Sequence, residues 1–182
     1  MRRMFSYILF DWDGCLANTL QIWMESYKKV FALFGFYPSE KDIAEKVFGK
    51  WDGNRVIGVT DDEMFRERLF KEVNYRLIKA KLFDHVYETL HSLRNSGKKL
   101  ALLSSSPKVI VNKAMKLNNV TDLFEINICH EDVTNHKPNP EGVNRIIKFF
   151  KADKKDFIMV GDADKDVEAC HNAGISSCLF YP

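Results

Sequence analysis

The chain has 182 residues, 46% hydrophobic, 13% aromatic and 29% charged, a composition that excludes a disordered or fibrous protein. That length holds one substantial core, or one core with an insertion, and excludes a multidomain assembly. Lys and Arg total 27 against 25 for Asp and Glu, a net charge of +2, too balanced for nucleic acid to be the expected partner.

An apolar run at 4–10 follows Met1-Arg2-Arg3. Acidic Asp11 and Asp13 interrupt it and no small-residue cleavage site follows, so it does not read as a signal peptide. Residues 7–10 read instead as a buried strand that stops at Asp11-Trp12-Asp13-Gly14. From 18 to 81 the pattern changes to amphipathic helices at 20–34, 43–48 and 63–78, with turns at 33–38 and 48–53 and no convincing strand. Residues 82–84 return the chain to the sheet. A helix at 85–95 closes at Gly97, and a strand at 100–103 ends in Ser104-Ser105-Ser106-Pro107, with a helix at 108–117 behind the proline. A weaker strand at 126–129, a helix at 140–149, a strand at 157–160 ending in Gly161-Asp162, a helix at 164–173 closed by Gly174 and a strand at 177–180 complete the chain.

Strands alternating with helices of this size predict an α/β fold, a Rossmann-like parallel sheet of about five strands. The expected division is a core of residues 1–16 and 85–182 with a small α-helical domain, 17–84, inserted. No apolar stretch approaches the roughly 20 residues that span a bilayer, so no membrane partner is expected. Cys15, Cys129, Cys170 and Cys178 form no CxxC pair, which predicts reduced thiols and a cytoplasmic protein, monomer or homodimer.

The D-x-D-G turn is a weak signal alone, since it recurs by chance in roughly one chain of this size in twenty. A second acidic pair, Asp162 and Asp166, again follows an apolar strand and enters a helix. If the two strand ends are neighbours, the carboxylates converge, and like charges about 4 Å apart cost up to roughly 4 kcal/mol per pair near a protein surface. An all-oxygen set without His or Cys suits a hard divalent cation, Mg²⁺ where phosphate oxygens complete the octahedron. Ser104 ends a strand before a helix, where backbone N–H groups favour an anion, with a simple N-cap as the alternative. Lys137, in His136-Lys137-Pro138, is a cation on a proline-stiffened loop, or one more solvated lysine.

In this order, Asp-x-Asp-Gly, strand-end Ser, Lys-Pro and Gly-Asp-x-x-x-Asp, the chain resembles the haloacid dehalogenase-like superfamily of phosphohydrolases, in its phosphoglycolate phosphatase and sugar-phosphate phosphatase branch. The resemblance covers residues 5–16 and 85–180 and implies a helical cap between the first two motifs. It implies Asp11 as the nucleophile that becomes an aspartyl phosphate, Asp13 as general acid and then base, Ser104 as the holder of the phosphoryl oxygens and Lys137 as the charge balance. Asp11, the backbone carbonyl of Asp13 and Asp162 would bind Mg²⁺, with Asp166 ordering that shell. Trp12, in the turn whose amides cradle phosphate, and Ser105 fall on the substrate side. The cap loop Gly49-Lys50-Trp51 matches the position that dips toward the phosphate, making Lys50, Trp51 and Arg55 candidates for the leaving group, with helix-end cations and a packing tryptophan as the plain alternatives.

Cys15 and Asn18 depart from the Thr or Val and the Asp common in similar chains. Cys15 reads as a small buried residue or an oxidation-sensitive thiol. Asp13 favours phosphate ester hydrolysis, because similar enzymes that cleave other bonds replace it. Sugar phosphomutases carry a His where this chain has Trp23, which disfavours a mutase. None of the five histidines pairs with another at ligand spacing. The expectation is a Mg²⁺-dependent phosphatase of small phosphorylated metabolites; the rival is a non-catalytic, receiver-like phosphate-binding module. Order argues against that rival, since a receiver's phosphorylated Asp ends the third strand and Asp11 ends the first.

Overall fold

The computed structural model describes residues 5–48, 50 and 52–181. Strands β1 (Tyr7–Phe10), β2 (Lys99–Leu103), β3 (Phe124–Ile128), β4 (Phe157–Gly161) and β5 (Ser176–Leu179) form one parallel sheet in the order β3-β2-β1-β4-β5. β1 lies at the centre, with Ile8 paired to both Leu100 and Ile158. A central parallel strand is covered on both faces, which is why Ile8, Leu9 and Phe10 are continuously apolar and all buried.

Side chains alternate between the two faces. Leu9, Ala101, Leu103, Ile128, Phe157 and Met159 face one way, packing against Val143 and Ile146 of α7 (Glu141–Phe150) and Ala169, Cys170 and Ala173 of α8 (Asp164–Ala173). On the other face Glu125 pairs with Arg94 of α5 (Val86–Asn95), and the Asn127 amide meets the Met115 sulfur of α6 (Lys108–Leu117) at 3.6 Å. The core is therefore helix, sheet, helix. The chain builds outward from β1 through β2 to β3, then crosses back to place β4 and β5 on the other side of β1. That reversal opens a crevice at the carboxyl ends of the central strands, where open α/β sheets bind ligands.

Two compact units are present: one runs up to Asn18 and resumes at Lys81, and the other is Thr19–Ala80. The expected insertion of 17–84 was wider, and backbone pairing explains the difference. Ala17 bridges Leu82, the Asn18 N–H donates to the Lys81 carbonyl at 2.9 Å and the Phe83 N–H to that of Leu16 at 3.0 Å. The two connecting segments hold each other and stay with the sheet.

The second unit contains α1 (Leu20–Leu33), α2 (Glu40–Asp42), a π-helical turn (Ile43–Val47), α3 (Gly53–Ile57) and α4 (Asp62–Leu77). Helices α1 and α4 run antiparallel. The Phe65 ring meets Phe31 at 4.7 Å and Phe34 at 5.8 Å, while further along Lys29 pairs with Glu72 and Arg76 with Glu25. Phe65, Leu69, Val73 and Leu77 are the buried stripe, four residues apart on one helix face. The predicted 43–48 helix begins earlier, at a capping box in which the Asp42 N–H donates to Ser39 Oγ at 3.1 Å, and its second half widens into the π turn. Helix α3 was not predicted, because five residues give no apolar period. Asn54 holds it in place, donating to the Val59 carbonyl at 3.0 Å and to Asp62 at 2.6 Å. Among the described residues no helix is long and apolar enough to cross a membrane.

Candidate active site

Pairing of β1 with β4 continues one residue past the strand: the Asp11 N–H donates to the Val160 carbonyl at 2.9 Å, which fixes where the buried Asp11 carboxylate emerges. The chain then turns sharply, the Trp12 carbonyl accepting the N–H groups of Leu16 and Ala17 at 3.1 and 2.9 Å. Gly14 has φ +79°, and a Cβ there would collide with the Asp162 carboxylate. Both the conformation and the close approach require glycine. Gly161 is required for the second reason alone, since its Cβ would stand 2.6 Å from the Asp166 carboxyl carbon.

Asp162 follows β4, and Asp166 lies in the first turn of α8, its Oδ2 accepting the Ala163 N–H at 3.1 Å. Carboxylate oxygens of Asp11, Asp162 and Asp166 all lie within 4.8 Å of one another. Lys137 reaches in from the loop after β3. Its Nζ stands 2.9 Å from Asp11 Oδ1 and 2.6 Å from Asp166 Oδ1 and donates to the Leu103 carbonyl at 3.1 Å. The side chains of Lys137, Asp11 and Asp166 are 3%, 6% and 2% exposed, so this lysine is no solvated surface cation. Its loop is held by Glu141, whose carboxylate accepts the Thr134 and Asn135 N–H groups at 3.2 and 2.9 Å.

Three carboxylates against one ammonium leave the site short of positive charge. Burial raises the Asp11 pKa, Asp166 adds to the rise, and Lys137 opposes it. Asp162 is pushed up to about 6, by burial first and then by the charges of Asp11 and Asp166. For Lys137 burial works against the charge, yet Asp11 and Asp166 more than offset it and the pKa rises. Carboxylates whose ionised forms are disfavoured in this way are what a divalent cation relieves. The donors are all oxygen, and they fit Mg²⁺.

The Asp13 carboxylate is not part of that cluster. Its Oδ2 accepts the Ser106 hydroxyl at 2.6 Å, and the Ser106 N–H donates to Ser104 Oγ at 3.0 Å. Ser104 is buried, its own N–H donating to the Ile128 carbonyl at 2.9 Å. It is not a helix cap: Pro107 occupies that position in α6, and the Lys108 N–H is met by Glu131 at 2.8 Å. Ser106 was missed by sequence reasoning. In a run of three serines nothing in the order distinguishes the one whose hydroxyl turns toward Asp13.

The other candidates separate from this group. Ser105 is half-buried between its neighbours. The Trp12 indole is 1% exposed, so it packs in the core and only its backbone is left for a phosphate. Lys50 donates to the carbonyl of Glu45 in the π turn, and Arg55 pairs with Asp62; both have structural work within the helical unit. Trp51 lies outside the described residues. Cys15 is buried, its Sγ 3.5 Å from the Val160 carbonyl. Burial and the nearby carboxylates Asp11, Asp162 and Asp166 push its thiol up, which disfavours the reactive thiolate. His130 and His136 stack face to face at 4.2 Å with ring planes 9° apart. Ring faces meet there, which is not the geometry of shared metal ligands.

Residues 8–180 match the model of a family described as haloacid dehalogenase-like hydrolase. The chain is 28% identical over 186 residues to the pyrophosphatase PpaX of Halalkalibacterium halodurans, covering 94% of this chain and 81% of that one. Among solved structures, one from Bacteroides fragilis assigned as a haloacid dehalogenase-like hydrolase superposes with a TM-score of 0.84 at 27% identity, covering 95% of this chain and 86% of that one. The same fold carries a predicted phosphoglycolate phosphatase from Haemophilus somnus (TM-score 0.82, 23% identity, 95% and 84% covered). It also carries a protein of Thermotoga maritima assigned as a β-phosphoglucomutase (0.75, 23%, 93% and 82%).

Proposed function

The chain belongs to the haloacid dehalogenase-like hydrolase family, and from that premise we propose that it hydrolyses small phosphorylated compounds through an aspartyl phosphate on Asp11. The observation that carries this reading is the buried Lys137 ammonium between Asp11 and Asp166, beside a third carboxylate. Such a site has a nucleophile already oriented, a cation against it and a deficit of positive charge that a divalent metal would fill so that an anionic substrate can approach. Asp11, Asp162 and Asp166, with the backbone carbonyl of Asp13, would hold Mg²⁺, which when bound would neutralise phosphoryl oxygens.

The residues of the chain then divide the work. Asp11 attacks phosphorus while Lys137 screens the nucleophile from Asp166. Ser104 already accepts the Ser106 N–H, which leaves its own hydroxyl hydrogen for a phosphoryl oxygen. Asp13 gives its proton to the departing oxygen and takes one from the water that cleaves the aspartyl phosphate. The relative PpaX supports an anhydride such as pyrophosphate as substrate, and the phosphoglycolate phosphatase neighbour a monoester. Sugar phosphates belong to the same panel. A mutase is disfavoured because Trp23 packs against Tyr27 and Phe48, at 6.1 and 6.3 Å, where similar mutases carry a His. Four free thiols fit a cytoplasmic setting.

The test is phosphate release from a panel of pyrophosphate, phosphoglycolate and sugar phosphates, with and without Mg²⁺. Metal-dependent turnover of at least one member is expected. No turnover on any of them, together with tight beryllofluoride binding, favours the receiver-like module instead.

A further inference from the structure

We propose that Ser106 is the positioning residue for Asp13, aiming that carboxylate at the leaving group and away from the metal-binding carboxylates; this rests on the acid and base role of Asp13 given above. Three observations carry it. The Ser106 hydroxyl donates to Asp13 Oδ2 at 2.6 Å, in the short range of hydrogen bonds to a charged carboxylate. Ser106 is 8% exposed, so water does not compete freely for that hydroxyl. Its backbone is pinned at both ends, the N–H by Ser104 Oγ at 3.0 Å and the carbonyl by the His130 N–H at 3.1 Å.

An aspartate on a tight turn has two side-chain torsions to settle. A hydrogen bond from a fixed donor settles both. Of the four aspartates assigned chemical roles, Asp11, Asp13, Asp162 and Asp166, Asp13 has its carboxylate outside the cluster formed by the other three, and the Ser106 hydroxyl bonds to it there. The separation has a chemical use. A carboxyl group that must carry a proton to a departing oxygen cannot also be neutralised by a cation.

The proton balance is closed. As the Asp11 oxygen bonds to phosphorus and the bond to the leaving oxygen breaks, the Asp13 proton passes to that oxygen. Asp13 is left as a carboxylate, the form that accepts the Ser106 hydroxyl hydrogen. When water then attacks phosphorus and the bond to Asp11 breaks, the water proton goes to Asp13 Oδ1, while Oδ2 keeps accepting the Ser106 hydroxyl. Ser104 and Ser106, joined through the Ser106 N–H, thus hold the two ends of one reaction: the phosphoryl group and its acid.

The experiment compares kcat/KM of wild type, Ser106→Ala and Ser106→Thr, each saturated with Mg²⁺, across phosphate esters running from alkyl through p-nitrophenyl to dinitrophenyl. An alkoxide needs its proton during departure and a dinitrophenolate does not. Ser106→Ala is expected to lose about tenfold or more on the alkyl ester and less than about twofold on the dinitrophenyl ester, with Ser106→Thr recovering most of the alkyl activity. In an Asp13→Asn background Ser106→Ala should cost nothing further. Where the alanine variant does not fold, Ser106→Cys, nearly isosteric with a weaker donor, should show the same selectivity at smaller amplitude. An equal loss on every ester, or none on the alkyl ester, overturns the positioning role while the phosphatase reading stands. A wild type inactive on the whole series overturns both.

Discussion

The two units use charge in opposite ways. In the sheet unit an ammonium and two carboxylates are brought together with 6% exposure or less. In the helical unit Lys28–Glu40, Lys29–Glu72 and Arg55–Asp62 each leave at least one partner well exposed, and the interior is rings: Tyr27, Phe31, Phe34 and Phe65. Burying ions costs several kcal/mol each, whereas an exposed pair contributes only about 0–1 kcal/mol. Filling the space of buried ion pairs with well-packed apolar side chains is often neutral or stabilising, so Lys137, Asp11 and Asp166 are not explained by stability. The difference supports the proposal that the chemistry lies in the first unit.

Substitutions test that contrast in descending order of effect. Asp11→Asn should abolish phosphate release, a loss beyond about 10⁴-fold, with the fold intact by circular dichroism. Asp13→Asn should cost about 10² to 10⁴-fold in kcat on an alkyl phosphate. Lys137→Met should both inactivate and destabilise, because it strands buried carboxylates; a loss of about 3–5 kcal/mol in urea unfolding is expected, partly recovered by Mg²⁺. At the other extreme, Lys29→Ala in the helical unit should change stability by less than about 1 kcal/mol and leave turnover on p-nitrophenyl phosphate unchanged. If Lys29→Ala proved as damaging as Lys137→Met, the contrast between the units would fail.

A pH series sharpens the same point with a smaller effect. Asp162 is pushed up to about 6 by burial and its acidic neighbours. Between its ordinary value near 4 and about 6 the folded state holds more protons at this group than the unfolded state, so the group's contribution to stability falls as pH rises through that window. Metal-free wild type should therefore lose stability relative to Asp162→Asn from about pH 4 to 6 in parallel urea titrations. Mg²⁺ affinity of the wild type should rise over the same interval, because the cation takes the deprotonated carboxylate.

Much of this was legible in the sequence, and the reasons differ by element. The strands at 7–10, 100–103 and 157–160 showed themselves because parallel strands covered on both faces are short unbroken apolar runs ended by polar residues. Helices 108–117 and 164–173 carried their punctuation in Pro107 and Gly174, the latter with φ +76°. Asp11, Asp162 and Asp166 could be assembled because each follows, or lies one helical turn beyond, a strand end that the α/β pattern makes adjacent. Ser106 could not be found that way, since its role depends on one torsion in a run of identical residues. Nor could the work of Arg55, because whether an exposed cation caps, pairs or binds is decided by where Asp62 lands. The π turn at Ile43–Val47 and the five-residue α3 escaped because periodicity needs more than two turns to be read. The edges of the insertion were misjudged at 17–18 and 81–84 because backbone bonds between two connecting segments leave no trace in side-chain pattern.

The central claim is that Asp11 takes the phosphoryl group. The direct measurement is rapid acid quench of wild type turning over its best panel substrate with Mg²⁺, followed by mass spectrometry of the peptide that contains Asp11. A phosphoryl group on Asp11, absent from Asp11→Asn and lost on hydroxylamine treatment, is the predicted result. Full turnover by Asp11→Asn, or a phosphoryl group trapped on another residue, would contradict it.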